Sequence, residues 1–280
     1  MSGVLPSRSD RLVVVGVLNV TPDSFSDGGR WSSLDAAVAH GVEMHAAGAD
    51  LVDVGGESTR PGAHRVDADV ERGRVVPVVE SLASAGVPIS VDTTRATVAQ
   101  AALEAGAAVV NDVSGGLADP DMARVVRDAD CPWVLMHWRG HSETMRRLAQ
   151  YDDVVAEVRA ELSERIEAAL TAGVTEQQIV IDPGLGFAKS AEHDWALLAN
   201  LDAITSLGYP VLVAASRKSF LGRLLAIDDE TPRPVEERED ATTALTAFLA
   251  GQGVWGVRVH DVVASVDAAT VIARIQQERQ

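Results

Sequence analysis

The chain has 280 residues, 46% hydrophobic and 23% charged, and its 24 Lys and Arg stand against 41 Asp and Glu for a formal net charge of −17. That composition predicts an ordered core, and a field of that sign disfavours nucleic acid and anionic membrane as partners. No run of about 18 apolar residues marks a transmembrane helix, and the first 11 residues, read as a tail, lack the apolar stretch of a signal peptide.

In chain order, an apolar first strand over residues 12–18 runs into Asn19-Val-Thr-Pro-Asp-Ser-Phe-Ser-Asp-Gly-Gly29. This polar stretch, rich in turn formers, precedes a helical pattern that starts near Ser33 and reads as a loop. Asn19 is expected to be a fixed anchor at the strand end, and residues 22–29 a mobile flap. From there one unit recurs: an Ala-rich helical stretch, a glycine, then a short Val/Ile/Leu run that ends on a polar residue. Gly48, Gly86, Gly106, Gly173, Gly208 and Gly253 lead into runs at 51–54, 89–92, 108–111, 179–182, 210–215 and 255–260. Glycine takes the left-handed residue that closes a helix, and the chain turns directly into the next strand. The run 133–137 follows Cys131 and makes the eighth strand. A lone cysteine at a strand start excludes an intrachain disulfide framework and a Cys-based metal cluster, reads as a buried thiol, and points to the cytoplasm.

Helical periodicity between the strands, as in Leu34/Val38/Val42, Val98/Ala102/Ala105 and residues 154–172, completes an alternating pattern. Short strands apolar throughout are parallel and buried on both faces. Eight such units in about 250 residues predict one domain, a (β/α)8 TIM barrel with its site at the C-terminal rim of the strands. A doubly wound open sheet is the competing topology. The acidic, proline-bearing residues 228–240 read as a surface excursion.

The strand ends carry Asn19, Asp53 and Glu57, Asp92, Asn111, His137, Asp182, Ser216-Arg217-Lys218, and Arg258 with His260. Asp92, Asn111 and Asp182 sit on apolar strands, where an unpaired polar group costs several kcal/mol. Three at one end suggest a floor of donors and acceptors for a flat heterocycle rich in N–H and C=O groups. In a chain this acidic, the cations gathered after strands seven and eight are the informative deviation. Those loops form the usual phosphate corner of this fold, and a helix start there adds free N–H groups. The loop Gly55-Gly-Glu-Ser-Thr-Arg-Pro-Gly62 reads as a second flap. Asp182-Pro-Gly-Leu-Gly-Phe-Ala-Lys189 is a third glycine-rich rim loop, without the spacing of a dinucleotide fingerprint or P-loop. His137 reads as a packed rim histidine.

Together with Ser90-Val-Asp-Thr93, Asn111-Asp-Val-Ser-Gly-Gly116, Ser216-Arg-Lys-Ser-Phe-Leu-Gly222 and Arg258-Val-His-Asp-Val262, these motifs make the chain resemble the dihydropteroate synthases, the folate-pathway enzymes that sulfonamides target. The resemblance implies an SN1-like condensation of 6-hydroxymethyl-7,8-dihydropterin diphosphate with 4-aminobenzoate, and a homodimer. It assigns Asp92, Asn111, Asp182 and Lys218 to the pterin, Arg258, His260 and Arg60 to the diphosphate, and Asn19 to a Mg2+ ion (magnesium) shared with it. Phe25, Thr59 and Pro61 would wall the 4-aminobenzoate, Ser219 would lie near its carboxylate, and Asp27 would hold the cationic intermediate. Trp138 and Arg139 depart from the residues common after the Met136-His137 pair. Two readings compete: a pterin-binding paralogue without turnover, and the methyltetrahydrofolate-binding domain of methyltransferases, which needs no diphosphate corner.

Overall fold

A computed structural model describes residues 5–8, 10–21, 34–58, 62–63, 65–141, 144–228 and 231–279. Eight strands alternate with helices: β1 (Val13–Asn19), β2 (Leu51–Gly55), β3 (Ile89–Asp92), β4 (Val109–Asp112), β5 (Trp133–Met136), β6 (Ile179–Asp182), β7 (Leu212–Val213) and β8 (Gly256–Val259). Every ladder is parallel, in the order β6-β5-β4-β3-β2-β1-β8-β7. A bridge between Ile181 and Val211 joins the two ends. That bridge decides between the two topologies, because an open doubly wound sheet has no contact between its edge strands. The fold is a (β/α)8 barrel.

The six glycines that precede strands all have positive φ. Each is the left-handed residue that ends a helix and aims the chain into the barrel. The helices are α1 (Leu34–Ala46), α2 (Ala68–Ser84), α3 (Ala96–Glu104), α4 (Met122–Ala129), α5 (Val154–Thr171), α6 (Ala191–Ala199), α7 (Asp202–Thr205), α8 (Ser219–Leu224), α9 (Glu239–Gly251) and α10 (Val262–Gln277). The periodic stripe on α1 is corrected at two of its three positions, since Val38 packs against the core. Leu34 and Val42 are exposed, and Ala37, Gly41 and Met44 face the barrel. A Cβ on Gly41 would lie 2.7 Å from Leu82 Cδ2, so small residues let α1 pack close to α2.

Period-two alternation along each strand sorts side chains between two cores. Val14, Leu18, Val52, Val54, Val91, Val110, Leu135, Ile181 and Val257 pack outward beneath the helices. Val13, Val15, Leu51, Val109, Val134, Val180 and Leu212 fill the barrel interior. At the strands' N-terminal ends the described part of the tail is anchored. Arg11 binds Asp50 at 2.6 Å and the Gly48 carbonyl at 2.9 Å, and the Trp255 indole donates to the Pro6 carbonyl. A cavity of about 300 Å³ lies there, but its Arg8 and Arg11 are paired with Asp10 and Asp50. The polar groups singled out from the sequence lie at the opposite end.

Candidate active site

The parity that places Leu51 inside also places Asp53 and Gly55 inside, and on neighbouring strands it selects Asn19, Asp92, Asn111, Asp182 and Arg258. Asn19, Gly55, Asp92 and Asn111 pair in one continuous register row across β1 to β4. Asp92, Asn111 and Asp182 are all buried. Arg258 crosses the barrel to them, donating from Nε to Asp53 at 2.6 Å and from a terminal nitrogen to Asp92 at 2.9 Å. Asp53 also accepts from Asn111 Nδ2 at 2.9 Å. That bond uses one of the two amide protons of Asn111.

The electrostatics follow from burial. Asp92 is pushed up to about 7 by burial, against the opposing pull of Arg258. Asp182 is raised by the same cause, with Lys218 pulling it back. Lys218 is lowered to about 8 by burial, partly offset by Asp182. For Arg258 burial works against the charge, but Asp53 and Asp92 outweigh it and the guanidinium stays charged. A site of this kind separates charges from water, where each interaction gains strength.

The cations expected after strands seven and eight take different directions. Lys218 precedes α8 and donates to the Leu185 carbonyl, with its ammonium 4.8 Å from the Phe187 ring centre. Ser219 opens α8 and is exposed. Ser216 Oγ lies 2.9 Å from His260 Nδ1. Arg217 turns outward to Glu239 with a left-handed backbone, φ 60°. The described residues of the stretch, 228 and 231–240, are largely exposed, with one correction: Arg238 is buried, fills the space beside Gly222, and donates to the Arg217 carbonyl at 2.9 Å. That bond supports the strained turn beneath Lys218.

His137 is buried, as its packed reading requires, with Nε2 2.9 Å from Glu161. Burial and Lys189 lower it to about 4, so the ring is neutral. Arg139 has a structural explanation here: it holds Glu161 and Glu157 and lies over the Tyr151 ring at 3.8 Å. Cys131 is buried too, and burial pushes its thiol up to about 12.

Comparison with known proteins adds the family. Residues 15–260 match the model of the pterin binding enzymes. The chain is 58% identical over 260 residues to the dihydropteroate synthase of Mycobacterium leprae (strain TN), covering 92% of each chain. This chain belongs to the dihydropteroate synthase family. A solved dihydropteroate synthase from Xanthomonas albilineans with 4-aminobenzoic acid superposes with a TM-score of 0.87 at 46% identity, over 95% of this chain and 94% of that one. The same bacterium's enzyme in complex with 7,8-dihydropteroate gives 0.84 at 43% identity, with the same coverage.

Of the residues that the dihydropteroate synthase resemblance singles out, Asn19, Asp92, Asn111, Asp182, Lys218, Ser219, Arg258 and His260 are described. Phe25, Asp27, Thr59, Arg60 and Pro61 lie outside the described residues, as does the whole flap 22–29. Asp53, to which the motifs assign no role, is fully buried and binds two of the site's side chains. Its parity in Leu51-Val-Asp-Val54 is the signal that points to it. A second network has no motif of its own. Glu71, buried on α2, accepts from Thr93 at 2.6 Å and from Arg95, which also binds Glu57 at 2.9 Å and the Val66 carbonyl. This clasp ties Glu57, in the Gly55–Gly62 flap, and Val66, just beyond it, to the start of α3. The side chains it joins are paired across 22 to 38 residues, and no local pattern joins them.

Proposed function

We propose that this chain condenses 6-hydroxymethyl-7,8-dihydropterin diphosphate with 4-aminobenzoate, giving 7,8-dihydropteroate and diphosphate. The observation that carries this reading is the meeting of an acceptor-rich floor with a charged arginine in one barrel mouth. Asp92, Asp182 and the side-chain oxygen of Asn111 offer acceptors to the amino and ring N–H groups of a dihydropterin, and Lys218 offers a donor to its carbonyl edge. A diphosphate tail arriving beside them competes with Asp92 for Arg258, while Asp53 keeps its grip on Nε. His260 and Arg60 complete the anion corner.

The bond to the departing diphosphate breaks first, in an SN1-like sense, because the electron-rich pterin can carry the methylene cation left behind. Arg258 and His260 stabilise the charge that develops on the leaving group, and Asp27 faces the cation. The aryl amine then attacks the methylene carbon and loses a proton. Phe25, Thr59 and Pro61 wall the aryl ring, with Ser219 near its carboxylate.

Asn19 is the residue to hold Mg2+. A Cβ on Gly55 would meet Asn19 Oδ1 and Asp92 Oδ2 each at 3.6 Å, so the missing side chain leaves a gap flanked by two hard oxygens. Among the described residues no three His, Cys, Asp or Glu gather to hold a metal. An ion held by Asn19 would take few protein ligands and would rely on diphosphate and water for the rest. Bound there, magnesium supplies charge neutralisation for the leaving group.

A homodimer is supported by exposed Val263, Val271 and Ile275, which share a four-residue row on α10 interrupted by exposed Asp267, and by exposed Phe248 on α9, a helix that packs against α10. The cytoplasm is the proposed compartment, supported by the single buried thiol. No helix of the described residues is long and apolar enough to cross a membrane.

The deciding experiment is steady-state diphosphate release from the pterin diphosphate with and without 4-aminobenzoate. Release that requires the aryl amine is expected. Tight pterin binding with no release would favour the paralogue without turnover, and methyl transfer to a corrinoid acceptor would favour the methyltransferase reading.

A further inference from the structure

The third glycine-rich loop, between β6 and α6, has no assigned task beyond carrying Asp182, yet its backbone is bound almost atom by atom. The Gly184 amide donates to Asp182 Oδ1 at 2.7 Å, and the Gly186 amide donates to Asp194 Oδ1 at 2.7 Å. The Leu185 carbonyl accepts from Lys218. The carbonyls of Gly184 and Phe187 both accept from the Lys189 ammonium, at 3.0 and 3.1 Å. The third bond of that ammonium goes to His137 Nδ1 at 2.8 Å.

An ammonium has three donors and no acceptor. All three of Lys189 are consumed inside the protein, which leaves none for a ligand. Its neighbour Lys218 donates to one backbone carbonyl among the described residues, that of Leu185. The two lysines therefore have different work, although both touch the same turn. The turn also needs holding. Gly184, Gly186 and Ala188 have φ of 67°, 74° and 48°, and Ala188 pays a steric cost of about 1 kcal/mol for a left-handed backbone. A Cβ on Gly184 would collide with the His137 carbonyl, so the turn is pressed against the end of β5. Charge-assisted bonds are about twice as strong as neutral ones and suit such a clamp.

We infer that Lys189 is a positioning residue for the pterin site: by fixing the Gly184 and Phe187 carbonyls it orients the turn that aims Asp182 and Lys218 at the ring. The Gly184 peptide links the two ends of this device. Its carbonyl is held by Lys189 and its amide holds one oxygen of Asp182, leaving the other oxygen for the ligand. The Leu185 carbonyl, one residue on, sets the reach of Lys218. His137 supports the ammonium from behind. With Nδ1 accepting from Lys189, its proton is on Nε2 and is donated to Glu161, which Arg139 anchors in turn. This assigns the buried His137 and the departing Arg139 to a brace behind the pterin floor and not to proton transfer.

The inference rests on the pterin reading of the site, and the test separates the two. Lys189→Met keeps the length of the chain and removes the donors; Lys189→Gln keeps two of them. Pterin diphosphate affinity is measured by calorimetry, the KM for 4-aminobenzoate by diphosphate release, and amide exchange of Gly184, Gly186 and Phe187 without ligand. For Lys189→Met, pterin affinity is expected to fall about tenfold or more while the 4-aminobenzoate KM stays within about twofold. The three loop amides exchange about tenfold faster, and Val180 and Ile181 stay as in the wild type. Lys189→Gln falls between, and decides alone if Lys189→Met does not fold. Unchanged loop exchange in a folded variant, or equal losses for both substrates, overturns the inference. A wild-type protein that binds no pterin diphosphate instead overturns the functional reading, and the exchange arm still judges Lys189.

Discussion

Arg258 stands between two buried carboxylates, and removing it would leave both without a cation. Breaking a buried pair from one side costs more than the pair contributes, because the remaining charge cannot return to water. Arg258→Met is therefore expected to destabilise the fold by on the order of 3 kcal/mol in urea unfolding, besides losing diphosphate affinity. Asp182→Ala acts differently. It removes an acceptor from the ligand and from the Gly184 amide, and pterin binding should weaken by about 1–3 kcal/mol; an unchanged dissociation constant would refute the assignment. His137 carries a pH signature. Burial lowers it from 6.5 to about 4. Between those values the unfolded chain holds a proton that the folded chain does not, so stability falls as pH falls from 6.5 to 4 and the loss levels off below. Asp92 and Asp194, raised by burial to about 7 and about 6, work in the opposite sense. The signature is thus read as the difference between wild type and His137→Phe across pH 6.5, 5 and 4, which should shrink toward the acid end.

Along the chain, each repeat of helix, glycine and strand is legible because its causes are local: a cap conformation, an apolar run and a polar stop. The helix faces were less legible. A search for large apolar residues picks Leu34 and Val42 on α1, whereas close packing against the barrel selects Ala37 and Gly41. Volume, which no periodicity reports, made that choice. The loop after β4 gives a test at a similar level. Gly115 has φ 58°, and a Cβ there would sit 2.7 Å from the Met136 carbonyl oxygen. Gly115→Ala should cost about 1–3 kcal/mol by thermal or urea unfolding, from backbone strain and from pushing β5 aside.

For the molecule as a whole, a net charge of −17 repels anions at long range, so the cations at the mouth must act at short range. The apolar stripe on α10 makes a separate prediction. If it seats a second copy, Ile275→Asp should shift sedimentation from dimer to monomer at micromolar protein and leave the barrel's unfolding cooperative; an unchanged dimer would remove α10 from the interface. The number of strands, their parallel sense, the rim as the site and most of its polar side chains could be read from residue order, since alternation and capping act within a few positions. The partner each side chain takes inside the closed barrel could not. Arg258 meets Asp53 and Asp92 across 205 and 166 residues, and Lys189 meets His137 across 52. The Arg258 pairings exist because the first and last strands share a ladder, and the Lys189 pairing because β5 and β6 do; both bring distant residues to face one another in a space that excludes water.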